Sequence, residues 1–309
     1  MIRTRLIICL LMLFLLQGET FAAPDDTVVA IVSGTDGTHA EVVTALRARL
    51  LVAEPALRIQ EVDASTVSMA SLAGSRIVVT VGSQAARITA SLAPPQIVVH
   101  TLIPATTYHG LPSLARGGAG GSAIVLDQPA ERQIALLRLA LPDWRRIALL
   151  TGHNTDARVS RLADAARAQQ LEVRESRVGT ERDLYAALQN VLVEPAILIA
   201  TPDAQIFSSS TIQNVLLTAY RHRSPVLGFT AAYVRAGALI SLYSTPTQIG
   251  EQAAELVVRA LQGSPLPAVQ APSLFEVAVN TNVARSLGIE LDRAEDLTAA
   301  LVRLEGGKP

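Results

Sequence analysis

Residues 225–263 read PVLGFTAAYVRAGALISLYSTPTQIGEQAAELVVRALQG, and this stretch decides the fold. Val226, Leu227 and Phe229 make one short apolar run and Ala238, Leu239, Ile240 and Leu242 a second. Each is bounded by Gly or Pro, as buried strands are. From Thr247 the apolar spacing becomes three and four, with Ile249, Ala253, Leu256, Val257, Ala260 and Leu261 on one face and Glu251, Gln252, Glu255 and Arg259 mostly on the other. Gly263 and Pro265 stop this helix. Two strands joined by a short bridging turn and followed by a helix that serves another sheet are what a chain makes when it passes between two lobes. Ligand clefts form at such junctions.

Working outward, the rest of the chain alternates strand and helix. TVVAIVSG (27–34), LRIQEVD (57–63), RIVVTVG (76–82) and PQIVVHTLI (95–103) read as strands, with helices from His39 to Val52 and over 83–92. After a break at 104–122, rich in Gly, Ala and Pro, the series resumes: a crossing strand at 123–127 and a helix from Pro129 to Leu141. Then come RRIALLTG, a helix from Thr155 to Gln170, LEVRESRV, a helix from Glu181 to Val193, PAILIATPD and a helix from Ile206 to Arg221. Near-continuous Val and Ile runs separated by helices predict parallel sheets covered on both faces. The fold class expected is therefore α/β, with two Rossmann-like lobes. Lobe one is expected over 24–122 and 239–263, lobe two over 123–238 and 264–309.

The chain has 309 residues, half of them hydrophobic, and a net charge of −1, so nothing in it recruits nucleic acid. It opens on MIRTR, then LIICLLMLFLL, then QGETFAAP, the charged, apolar and small-residue order of a secretory signal peptide, expected over 1–22 with cleavage after Ala22. An apolar run of 11 residues is short for a membrane anchor. Cys9 is the only cysteine, so the mature chain is expected to lack disulfides, thiolate metal sites and a cysteine nucleophile. A soluble, exported, periplasmic monomer is expected.

In parallel sheets ligands bind beyond the carboxyl ends of the strands. In lobe one these ends carry Ser33, Gly34 and Thr35, then Gly82, Ser83 and Gln84, then His100 and Thr101. In lobe two they carry Thr151, His153 and Asn154, then Thr201 and Asp203, then Phe229 and Tyr233. Small hydroxyl and amide residues suit hydrogen bonding of a polar solute better than acid–base chemistry. Gly82 and Ser83 open a helix whose first amides favour a carboxylate, although Ser83 also suits a plain cap. Tyr233 and Tyr108 are the aromatics expected to stack on a ligand ring; Phe229 and Tyr243 suit the core. The five histidines have no paired metal-ligand spacing, and no metal or cofactor is expected. GxSxG, HExxH and Walker patterns are absent, which leaves a hydrolase built on Ser83 with His100 or His153 as the enzymatic alternative.

The segments GSAIVLDQPAERQIALLRLALPDWRRIALL, YRHRSPVLGFT onward to LQG, and FEVAVNTNVARSLGIEL together resemble the exported substrate-binding components of ABC transporters, in the group related to tryptophan and other aromatic amino acid binders. The resemblance implies a type I periplasmic-binding-protein fold joined by a three-strand hinge, a non-enzymatic role and a membrane permease as partner. It implies that Gly82, Ser83 and Gln84 meet the solute's polar head and that Thr151, Asn154, Thr201 and Asp203 complete the cleft. The chain departs from the family where Gly152, His153 and Asn154 replace an Asn-Pro pair, and where TLIPATTYHGL lacks an Asp-Pro pair. Sensing for a membrane receptor, without transport, is the alternative role.

Overall fold

The computed structural model describes residues 27–32, 36–112, 121–152, 156–203 and 205–306. The expected signal peptide and the expected site residues Ser33, Gly34, Thr35, His153 and Asn154 lie outside them.

The first sheet has five parallel strands in the order β2-β1-β3-β4-β5. These are β1 (Thr27–Val32), β2 (Arg58–Asp63), β3 (Ser75–Val81), β4 (Ile97–Ile103) and β5 (Ser122–Val125). Helix α1 (Gly37–Ala53) follows β1, α2 (Met69–Leu72) precedes β3, α3 (Ser83–Leu92) follows it and α4 (Ala105–Gly110) follows β4. Ile77 and Val79 point into one helix layer and Val78 into the other, so consecutive residues of β3 are all buried. That is why the strand reads as an unbroken apolar run.

The second sheet has six strands in the order β11-β10-β9-β8-β6-β7. It begins with α5 (Ala130–Ala140), then β6 (Arg146–Thr151), α6 (Asp156–Ala168), β7 (Glu172–Arg177), α7 (Leu184–Val191), β8 (Ile197–Ile199) and α8 (Ile212–Arg221). There follow β9 (Val226–Gly228), α9 (Ala231–Ala236), β10 (Ile240–Tyr243), α10 (Pro246–Leu261), β11 (Glu276–Val279), α11 (Thr281–Leu287) and α12 (Ala294–Leu304). Only β11 runs antiparallel among the described strands, pairing Ile240 with Val279. In both sheets the chain first steps one way and then reverses, between β1 and β3 and between β6 and β8. Ligand crevices open at such reversals.

The observed boundaries differ from the expected division in two places. The strand at 122–125 pairs with β4 and closes the first sheet, whereas it was expected to open lobe two. Residues 240–243 pair with β9 in the second sheet, whereas they were expected in lobe one. Each strand stays with the sheet it has just left, because the crossing lies in the loop after it. The expected bridging turn is a short helix, α9. Helix α8 begins at Ile212 rather than Ile206, since Thr211 donates its hydroxyl to the Ile206 carbonyl (2.7 Å) and holds the preceding residues in turns.

Helix α10 carries the last third of the chain back to the first sheet. Pro246 occupies its first turn, and Thr245 and Gln248 cap it reciprocally. Its Ile249, Ala253, Leu256 and Val257 share one core with Leu46 and Leu50 of α1. Gly250 lies directly against α1: a β-carbon there would fall 2.5 Å from the Val42 carbonyl oxygen. Gln252, which the periodicity places on the polar face, is buried; its amide donates to the Ala271 carbonyl (3.2 Å) and accepts from the Ser273 N–H (2.9 Å).

Three crossings connect the sheets, at 126–129, 244–245 and 262–275. They are laced together. The Gln128 amide donates to Ser244 Oγ (3.0 Å), which donates to the Leu274 carbonyl (2.5 Å). Gln270 bonds through its backbone to Ala123 (2.8 Å) and Val125 (3.0 Å). Arg132 of α5 donates to Gln128 Oε1 (2.8 Å), to the Pro272 carbonyl (2.9 Å) and in a fork to Glu305, while its guanidinium covers the Phe275 ring.

The close approach at Gly250 gives a direct test. Gly250→Leu forces a branched side chain against helical backbone, and a loss of about 1–3 kcal/mol of unfolding free energy is expected in urea titrations. A wild-type midpoint would place α10 away from α1.

Candidate functional site

The candidate site is built at the two reversals. In the first sheet, β3 ends at Val81 and Gly82 turns the chain with φ 91°, in the left-handed region that favours glycine. The Gly82 N–H donates to the Thr101 carbonyl (2.9 Å), fixing the turn to the end of β4. Helix α3 then starts at Ser83, and among the described residues no side chain caps its first turn. Ser83 is thus not the cap: its hydroxyl is half-buried, 3.3 Å from Thr107 Oγ1 of α4, and Gln84 beside it is exposed. First-turn amides left without a side-chain acceptor, flanked by two hydroxyls, form a cradle for an anionic or acceptor group.

In the second sheet, Thr151 ends β6 and its hydroxyl donates to the Ser176 carbonyl (3.3 Å). A β-carbon on Gly152 would lie 2.6 Å from Asp203 Oδ2, so the loops after β6 and β8 touch. Asp203 is 8% exposed, its Oδ1 accepting from the Gln205 N–H (2.9 Å) and its backbone N–H donating to the Thr201 carbonyl (2.6 Å). A carboxylate held at the end of a parallel strand, with one oxygen bound to an amide, suits an ammonium or hydroxyl donor. Phe229, half-buried just after β9, lies with its ring 4.5 Å from that of Tyr233.

Five residues expected near a ligand are turned inward instead, Thr201 among them at 1% exposure. Tyr233 is 8% exposed; its hydroxyl donates to the Phe207 carbonyl (3.0 Å), and burial pushes the phenol well above its usual range. Tyr108 is buried likewise and donates to the Ala268 carbonyl (2.7 Å). His100 is buried, Nδ1 lying 2.8 Å from Thr80 Oγ1 and the ring edge-on to Tyr108. Thr101 is fully buried beneath the sheet's helices. A phenol satisfies its hydroxyl inside a core when a loop carbonyl is within reach, and both tyrosines find one.

The sequence reading missed the residues at the first crossing. Asp127, 10% exposed, accepts from the Ala105 N–H at the start of α4 (2.7 Å) and forms a 2.5 Å ion pair with Arg158 Nε of α6. One carboxylate thereby joins a helix of the first sheet to a helix of the second. Among the described residues no group of three or more His, Cys, Asp or Glu side chains is placed to hold a metal, and no helix is long and apolar enough to cross a membrane.

Two α/β lobes, parallel throughout except for one edge strand, joined by three crossings and with strand ends facing their own loops, define a type I periplasmic-binding-protein fold. Solved structures agree. A ligand-free, open substrate-binding protein with adhesive properties from Clostridium difficile aligns with a TM-score of 0.67 at 16% identity, covering 86% of this chain and 96% of that one. A domain from Streptococcus pneumonia in complex with L-Trp aligns at 0.62 and 16% identity, covering 86% and 95%. A periplasmic ribose ABC transporter protein from Conexibacter woesei aligns at 0.56 and 14%, covering 91% and 99%. No curated protein matches the sequence. The model of the ABC transporter substrate binding protein family matches residues 63–300, and the chain belongs to that family.

The inward placement of Tyr233 is open to measurement. Tyr233→Phe leaves the Phe207 carbonyl without its donor, and a loss of about 1–2 kcal/mol is expected in chemical unfolding. Unchanged stability would mean the hydroxyl faces solvent.

Proposed function

We propose that this protein is the exported solute-receptor of an ABC-type uptake system, that it captures a small polar solute between its lobes, and that it delivers the solute to an inner-membrane permease. The observation that carries the reading is the pairing of complementary groups at the two sheet reversals: the uncapped start of α3 with Ser83 and Thr107 in one lobe, the Asp203 carboxylate in the other. An amino acid or related carboxylate matches both, its carboxylate on the α3 amides and its ammonium on Asp203, with Phe229 beside the side chain. Ser33, Gly34, Thr35, His153 and Asn154 belong to the same two reversals by sequence. Contacts made by both lobes at once stabilise the closed arrangement over the open one. The signal-peptide pattern at 1–22 supports export, and the protein is taken to act as a monomer without cofactor or metal.

Family membership supports binding rather than turnover. The hydrolase alternative gains nothing from the hydroxyl of Ser83, which lies against Thr107, or from Nδ1 of His100, which lies against Thr80.

A thermal-shift screen of amino acids, nucleosides and small organic acids tests the proposal. A solute at one hundred times its dissociation constant adds about 2.7 kcal/mol of stability. Ser83→Ala and Asp203→Ala are each expected to weaken that solute by roughly 1–3 kcal/mol, and the solute is expected to be recovered unchanged after prolonged incubation. Wild-type affinity in both variants would refute the site; a product would refute the receptor role.

A further inference from the structure

Asp127 lies on the first crossing, two residues after β5, with a side chain 10% exposed. Its Oδ2 accepts from the Ala105 N–H at the start of α4 (2.7 Å). Its Oδ1 lies 2.5 Å from Arg158 Nε of α6, a side chain 12% exposed. Helix α4 carries Thr107, whose hydroxyl is 3.3 Å from Ser83 Oγ, and α6 follows the loop that leaves β6 after Thr151. One carboxylate thus touches an element from each half of the proposed site.

The two contacts differ in kind. The bond to Ala105 has hydrogen-bond geometry, whereas Asp127 Oδ1 and Arg158 Nη1 have no hydrogen-bond partner among the described residues, so the link to the second lobe is one of charge. A contact of charge tolerates sliding; a directional bond fixes what it holds. The fixed end bears on the element that needs it. Helix α4 has only six residues, too few to persist without tertiary ties, and Pro104 before it makes no side-chain cap. Its start is held by the Asp127 carboxylate, a charge that a helix start favours, and its second turn by the Tyr108 hydroxyl, which donates to the Ala268 carbonyl (2.7 Å). Thr107 lies between these two anchors.

We propose that Asp127 is a positioning residue for the solute: through the Ala105 N–H it sets the placement of α4, and so holds the Thr107 hydroxyl beside Ser83. It acts through Thr107 rather than by touching the solute. This rests on the reading of the α3 start, with Ser83 and Thr107, as the solute's cradle.

The experiment is calorimetric titration of the full chain with L-amino acids, the tightest binder of the wild type serving as probe. Asp127→Ala is expected to lower its affinity about tenfold. Ala105→Pro removes the donor instead: proline suits the first turn of a helix, and Pro104 before it is already extended at φ −64° and ψ 150°. It is expected to give the same loss, so the test survives a failure of Asp127→Ala to fold. Asp127→Asn, which keeps an acceptor for that N–H, is expected to stay within about threefold of wild type. Thr107→Val alone is expected to cost about fivefold, and less than about twofold when added to Ala105→Pro, because Thr107 is then already displaced. A role confined to folding would leave the cost of Thr107→Val the same in both backgrounds. Additive losses in that double variant, or a loss in Asp127→Asn as large as in Ala105→Pro, overturn the proposal. A wild type that binds none of the amino acids overturns the solute reading and this proposal with it. Wild-type binding that Ala105→Pro leaves intact overturns this proposal alone.

Discussion

The structure depends on the lacing of its three crossings into one strap. Gln128 on the first crossing reaches Ser244 on the second, and Ser244 reaches Leu274 on the third. Arg132 holds the first and third from behind through Nη1, while its Nε and Nη2 fork onto Glu305 after α12. Side-chain bonds of this kind contribute about 1 kcal/mol each, more where charge is involved, so a network of them fixes geometry more than it adds stability. Its consequence is positional. The first two crossings come after the carboxyl ends of β5 and β10, which puts the loops of both sheet reversals at the same end of the molecule as the hinge.

That placement bears on the modest character of the proposed site. On that reading, backbone amides at the start of α3, two hydroxyls and one carboxylate would suffice, each lobe supplying half of the contacts to a solute that gains its full set only when the lobes approach. Bulky aromatics are spent elsewhere: Tyr108 and Tyr233 fill cores and tie loop carbonyls. Asp127 adds a further link between the lobes, held on one side by the Ala105 N–H of α4 and on the other by Arg158.

Much of this was legible in the chain. Unbroken apolar runs such as IVVTV specified strands covered on both faces, and the change of spacing at Thr247 specified a helix returning to the first sheet. The helix opening at Gly82 and Ser83 was legible as well. What escaped was set by contacts distant in sequence. Gln252 falls on the polar stripe of its helix, yet a crossing folds over it. Tyr233 sits in a junction that reads as exposed, yet α9 turns it inward towards Phe207. Asp127 and Arg158 carry no local signal at all; each is an ordinary charged residue until the lobes bring them together. The sheet to which 122–125 and 240–243 belong was misjudged because a strand before a crossing has no mark of which side it serves.

The account rests on two lobes that close over a solute about this strap. Small-angle X-ray scattering with and without the solute identified by screening tests it most directly. A smaller radius of gyration in the saturated protein is predicted, with the change lost in Asp203→Ala at the same solute concentration. Identical scattering curves from the free and the saturated wild-type protein would contradict it.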